Sequence, residues 1–213
     1  MTHFASTDCE KPYTRRGQER RLALLLSANE LFLEKGYDAV SLDDIVQHAG
    51  GSKTSIYTYF GNKDGLFTAI CDYRRELFFK DICIPFNHCT DDLKHYLVHT
   101  LINFYQHIIQ PQNMAFMRLV LEQAQRNPEL ALYLHAQGPQ HIQRTIACAL
   151  DKAQQQGKLA CKNPDYSAIM FFGILRNLEW RVIMGLPPVE GNQDVLDYID
   201  YCVDLFLKGH QKN

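Results

Sequence analysis

Ser52, Lys53, Thr54, Ser55, Thr58 and Tyr59 crowd into one short part of the stretch SLDDIVQHAGGSKTSIYTYFGNK, residues 41–63. Short hydroxyls, one ammonium and a phenol are groups that hydrogen-bond base edges and phosphate oxygens. A helix beginning at Ser52 adds its own free backbone N–H groups and the positive end of its dipole, both of which attract phosphate. The chemistry these residues suit is recognition of a duplex. Motifs for turnover are missing from the sequence: there is no glycine loop following a strand, no G-x-S-x-G elbow and no H-E-x-x-H. The carboxylate pairs Asp43-Asp44 and Asp91-Asp92 fall at helix starts, where the dipole accounts for them.

Two short helices are needed to hold these groups outward. Ser41 is a good N-cap and Asp44 completes a variant of the capping box, so a helix is expected from Leu42 to about Ala49, with Leu42, Ile45, Val46 and Ala49 on its apolar face. Gly50 and Gly51 stop it, and Ser52 caps a second helix of about two turns ending at Phe60. Ile56 and Phe60 face inward at i,i+4, which leaves Lys53, Thr54, Ser55, Thr58 and Tyr59 outside. This is a helix-turn-helix, whose second helix enters the major groove. A preceding helix runs from Gly17 to Lys35, with Leu24, Leu25, Ala28, Leu31 and Phe32 on one stripe and Gly36 as its stop. Asn62 caps a following helix from Lys63 to about Phe79.

On Ile45-Val46, Ala49-Gly50, Ser52, Tyr57-Thr58-Tyr59-Phe60 and Lys63, the stretch resembles the TetR/AcrR family of transcriptional regulators. Gly51 departs from that pattern, standing where the family has a β-branched apolar residue, and a looser turn is expected there. Carried onto this sequence, the reading has Ser52, Lys53, Thr54 and Ser55 placing the helix, and Thr58 and Tyr59 reaching bases or phosphates. Ser41, Tyr57 and Lys63 hold the DNA backbone. The formal net charge is −2, so any attraction to DNA must be local. Lys11, Arg15, Arg16, Arg20 and Arg21 bunch at the front of the chain, and residues 1–16, Arg16 included, are expected to form a basic arm that tracks phosphates or enters the minor groove.

The remaining sequence is expected to be helical over 92–109, 114–126, 128–136, 139–156, 164–184 and 194–208, with prolines at the breaks. The fold class is therefore all-α: a three-helix DNA-binding head over 17–62 and a C-terminal helical domain over 63–213. The segment MRLVLEQAQRNPELALYL, with Gly157-Lys158-Leu159 and Asn163-Pro164-Asp165, resembles the effector domain of AcrR-like and AefR-like members. That resemblance implies a homodimer that represses transcription from a palindromic operator until a small hydrophobic or aromatic effector enters the domain. Ile169, Gly173, Trp180 and Ile183, together with Val195, Ile199, Cys202 and Phe206, are expected on the dimer seam, and Asp197, Asp200 and Asp204 on a solvated stripe. The effector would meet Phe104, His107, Ile108, Met117, Arg118, Leu121, Gln125, Cys148 and Phe171.

With 213 residues, 46% hydrophobic and 22% charged, the composition is that of an ordinary globular chain. No signal peptide and no apolar run of membrane-spanning length are seen, so a cytoplasmic protein with no membrane partner is expected. The seven cysteines include no C-x-x-C pair and read as free thiols. His88, Cys89, His95 and His99, with Cys83 nearby, lack a second fixed pair to complete a tetrahedral zinc set, so neither metal nor cofactor is expected. Two other classes remain distinguishable: a dimeric ligand-binding helical protein without sequence-specific DNA binding, and an all-α enzyme. Either would leave a selection from random duplexes empty.

Overall fold

A computed structural model describes residues 14–82, 86, 92–187 and 192–211. Among them every regular element is helical: α1 (Arg15–Lys35), α2 (Leu42–Ala49), α3 (Lys53–Phe60), α4 (Lys63–Ile82), α5 (Leu93–Ile108), α6 (Pro111–Arg126), α7 (Pro128–Gln137), α8 (Pro139–Gln155), α9 (Pro164–Gly173), α10 (Arg176–Ile183) and α11 (Asn192–Lys208). The chain divides into two compact units. One runs through Leu77 and takes in Arg118–Leu132; the other comprises Phe78–Met117 and the chain from Tyr133 onward.

In the first unit, α1 buries the stripe Leu24, Leu25, Ala28, Leu31 and Phe32 against Ile45 of α2, Ile56 and Phe60 of α3, and Leu66, Phe67 and Ile70 of α4. Burying side chains of this size is worth about 1.5–3 kcal/mol each. The apolar face of α4 is what enlarges the head beyond its first three helices. Phe32, Tyr37 and Phe67 form an aromatic knot, with ring centres 5.1 to 6.2 Å apart. Gly65, in the first turn of α4, lies so close to the end of α3 that a Cβ there would stand 2.0 Å from the Phe60 carbonyl oxygen. No other residue fits at that approach. The Arg74 guanidinium ties α4 to Asn29 of α1 at 3.2 Å.

The second unit has a core built from α5, α8, α9, α10 and α11, with Leu97, Leu101, Leu150, Phe171, Leu175, Ile199 and Val203 at its centre. Lys94 of α5 reaches Asp200 at 2.9 Å and Asp204 at 2.8 Å on α11, so two of the three aspartates expected on a solvated stripe are ion-paired. The last turn of α11 is fastened to the loop between α8 and α9. Ala160 N–H donates to the His210 carbonyl at 2.7 Å, and the His210 ring meets Ser167 Oγ at 2.8 Å and the Phe206 carbonyl at 2.7 Å.

Several boundaries differ from the sequence expectation. The helix expected over 164–184 is broken between α9 and α10, where Ile174 N–H and Leu175 N–H donate to Phe171 and Phe172 in tightened three-residue turns. Helix α6 begins at Pro111, using proline at a helix start, where its missing N–H costs nothing. Arg15 and Arg16, expected in an arm, belong to the first turn of α1, because Thr14 caps it: Gly17 N–H donates to Thr14 Oγ1 at 3.2 Å. The rest of the expected arm, with Lys11, lies outside the described residues.

Candidate nucleic-acid interface

Two successive caps set up α3. At the start of α2, Ser41 N–H donates to Asp44 Oδ2 at 2.7 Å, Ser41 Oγ donates to the same oxygen at 2.6 Å, and Asp44 N–H returns a bond to Ser41 Oγ at 3.2 Å. These bonds from Ser41 hold the Asp44 carboxyl below the usual carboxylate range. Gly50 and Gly51 follow with φ of +69° and +143°, a region that L side chains rarely adopt. Arg20 Nη1 lies 3.2 Å from where a Cβ on Gly51 would stand, so the space vacated by the expected branched residue faces a cation from α1. Ser52 then caps α3, accepting from Ser55 N–H at 3.3 Å.

With Ile56 and Phe60 buried, α3 leaves Lys53, Thr54, Tyr57 and Thr58 exposed and Ser55 and Tyr59 partly exposed. Several of the expected recognition groups are occupied within the protein. Ser52 Oγ and Ser55 Oγ are 3.1 Å apart, and Thr58 Oγ1 donates to the Thr54 carbonyl at 2.8 Å. Lys53 Nζ sits 2.8 Å from Asp43 Oδ2 of α2, which raises the lysine pKa through hydrogen bonding and charge. Lys63 is turned onto the head: its Nζ donates to the Tyr37 carbonyl at 2.6 Å and lies 4.2 Å from the centre of the Tyr37 ring. Partial burial lowers its pKa. Arg16 is exposed, whereas the Arg21 guanidinium covers the Phe60 ring at 5.0 Å.

In the sequence Asp43 reads only as a dipole partner and Arg20 only as part of the basic cluster. Their neighbours are set by the angle between helices, and periodicity along one helix carries no signal for that.

The residues expected at an effector site are not gathered together. Ile108 and Phe171 belong to the core of the second unit. Phe104 and His107 are half-buried on α5, where both meet Phe78, at 5.9 and 4.7 Å between ring centres, and Phe104 also meets Phe172 at 6.1 Å. Met117 packs at the edge of that core. Arg118, Leu121 and Gln125 are exposed and lie in the unit that contains the head, because α6 changes unit at Arg118. Cys148 is exposed too, on the outer side of α8 beside Arg144 and Pro164.

The expected seam also needs correcting. Val195, Ile199 and Phe206 are buried in the core of their own unit, since the row they share with Val203 is the one α11 turns inward. The exposed row of α11 is Tyr198, Tyr201 and Leu205, with Cys202 partly exposed between the two. On α9 and α10, Ile169 and Trp180 are exposed, as are Met170 and Met184; Ile183 is half-buried. Gly173 is exposed as well, with nothing within 4 Å of a Cβ placed on it.

Among the described residues no three His, Cys, Asp or Glu side chains converge as a metal site; His95 and His99 stack on one face of α5, and Cys83, His88 and Cys89 lie outside the described residues. Among the described residues no helix is long and apolar enough to cross a membrane.

Comparison with known proteins agrees with this arrangement. Residues 24–70 match the bacterial regulatory proteins of the tetR family, and residues 96–211 match the AefR-like transcriptional repressor C-terminal domain. The transcriptional repressor ComR of Escherichia coli is 41% identical over 70 residues, 32% of each chain. The chain spans only 24% and 32% of the lengths of the first curated relatives it matches. A TetR-family transcriptional regulator from Mesorhizobium loti superposes with a TM-score of 0.80 at 19% identity, covering 93% of this chain and 100% of that one. The flavonoid-responsive regulator FrrA superposes with a TM-score of 0.78 at 26% identity, covering 91% and 98%. With a helix-turn-helix whose second helix stands exposed and a C-terminal match over more than half of its residues, the chain belongs to the TetR family of bacterial regulatory proteins.

Proposed function

We propose that the protein is a homodimeric repressor that α3 seats in successive major grooves of a palindromic operator, and that a small aromatic ligand in the second unit releases it. The observation that carries the DNA part is the exposure of Lys53, Thr54, Tyr57 and Thr58 on a helix whose opposite side is anchored by Ile56 and Phe60. Ser41, Ser52, Ser55, Tyr59 and Arg16 complete the surface offered to the backbone. Repression is the reading favoured by the AefR-like repressor match and by the ComR relative.

Pairing of two copies is supported by the exposed apolar row on α9, α10 and α11: Ile169, Met170, Trp180, Tyr201 and Leu205 are each at least half exposed. Large apolar groups left in water along neighbouring helices mark an interaction surface. Gly173, exposed at the end of α9, would let a second copy approach closely. For the ligand, the aromatic group of Phe78, Phe104, His107 and Phe172 suits a flat ring system, and the similar regulator FrrA is described as flavonoid-responsive. A ligand acts by binding one arrangement of the dimer better than another, and operator affinity falls by that difference.

Selection of bound duplexes from a random pool by the purified protein tests the proposal. A palindrome with half-sites about one helical turn apart is expected. An unenriched pool would overturn it.

A further inference from the structure

The unit that contains the head holds a cleft of about 720 Å³, lined by Tyr37, Phe60 and Phe67 and by Gln123 and Arg126 of α6. That volume lies in the range of small-molecule sites. None of the residues expected to bind an effector lines it.

Gln123 is the unusual member. The residue is 7% exposed, and its buried Nε2 has no hydrogen-bond partner. A buried amide donor left unmatched is costly, and such groups are uncommon in folded proteins. The other polar groups around the cleft are engaged. Tyr37 O–H donates to Asp64, and Arg126 reaches Asp38 at 2.5 Å and Glu122 at 2.9 Å. Two carboxylates, Asp38 and Asp64, and one guanidinium line the cleft, so its charge disfavours an anion. The aromatic walls favour a flat ring; the Gln123 amide calls for an acceptor, and the two carboxylates accept from a donor.

We infer that this cleft is a second small-molecule site, for a neutral aromatic compound carrying a carbonyl or hydroxyl acceptor together with an N–H or O–H donor. The occupant lies on Phe60 and Phe67, accepts from the Gln123 side chain and donates to Asp64 or Asp38. It touches Phe60 and Gly61, the end of the reading helix, and α6 at the same time. Occupancy therefore bears on the set of α3 within the head. The inference does not depend on dimerisation or on an operator.

Benzamide is the probe, titrated without DNA into the full ¹⁵N-labelled protein to about 10 mM, the range expected for so small a compound. Saturable shifts are expected at the Gln123 side-chain amide and the Gly61 and Gly65 backbone amides, with NOEs from the benzamide ring to Phe60 and Phe67. Benzoate should bind at least several-fold more weakly, and Gln123→Leu should weaken benzamide about tenfold. The NOEs need no variant. Their absence overturns the site, as would equal binding of benzoate, or benzamide shifts confined to residues around Phe104.

Discussion

Lys63 Nζ donates to the Tyr37 carbonyl and lies over the ring of the same residue, closing the loop between α1 and α2 from the first turn of α4. A lysine expected to grip DNA is thereby a strut of the head. Lys63→Ala should lower the unfolding free energy by about 1 kcal/mol, the net worth of one protein hydrogen bond. It should leave the salt dependence of DNA binding unchanged. Lys53→Ala should do the reverse, reducing the slope of log K against log salt by about one while stability holds. Anisotropy titrations at several salt concentrations, beside thermal melts, separate the two.

The Lys53–Asp43 pair predicts a gain of function. DNA phosphate must draw the ammonium away from Asp43, and the carboxylate itself repels the backbone. Exposed pairs are worth up to about 1 kcal/mol, so Asp43→Asn should tighten binding to random duplex by about two- to fivefold at low salt. The advantage should fade as salt screens both interactions. An unchanged or weaker affinity would show that Lys53 is not used on DNA.

Acid should open the head through Asp44. Its pKa is held below the free value of 3.8, so the stability it contributes is complete above that value and is lost as pH falls through the lower, folded one. Asp204 behaves alike beside Lys94 in the second unit. Ser41→Ala removes the hydroxyl that lowers the Asp44 pKa, and should move the acid loss of α2 to higher pH. Far-UV circular dichroism and amide exchange across α2, followed from neutral pH downward, report it.

Trp180, the sole tryptophan of the chain, is 57% exposed on α10 and reports directly on pairing. Its emission should shift to the blue as the protein is concentrated and the row on α9–α11 leaves water. Ile169→Asp and Tyr201→Asp, both at exposed positions, should keep the red-shifted emission and sediment as monomers with the helical content intact. Dimers surviving in both variants would place the seam elsewhere.

The sequence was most legible where the determining contacts are local. The Ser41–Asp44 box, the Ser52 cap, and the inward Ile56 and Phe60 each depend on residues three or four positions apart, and each is present. Contacts across helices were not legible. Asp43 reads as a dipole partner until α3 brings Lys53 beside it. Helix α11 carries two apolar rows, and nothing in their spacing says that Val195, Ile199 and Phe206 face inward while Tyr198, Tyr201 and Leu205 face out. The break after Gly173 is likewise unmarked, as no proline accompanies it. Residues assigned to an effector site by helical spacing on α6 were separated because the helix changes partners midway, at Arg118.

The fastening at His210 ties α11 to the start of α9 through side chains as well as backbone. Cys161 Sγ–H donates to Ser167 Oγ at 3.2 Å, and Ser167 meets the imidazole that rests on Phe206. Two side chains from around the start of α9 and one from just beyond α11 thus form a buckle. Cutting the chain just after Leu207 would undo it, baring Cys161 and freeing the loop between α8 and α9 from α11.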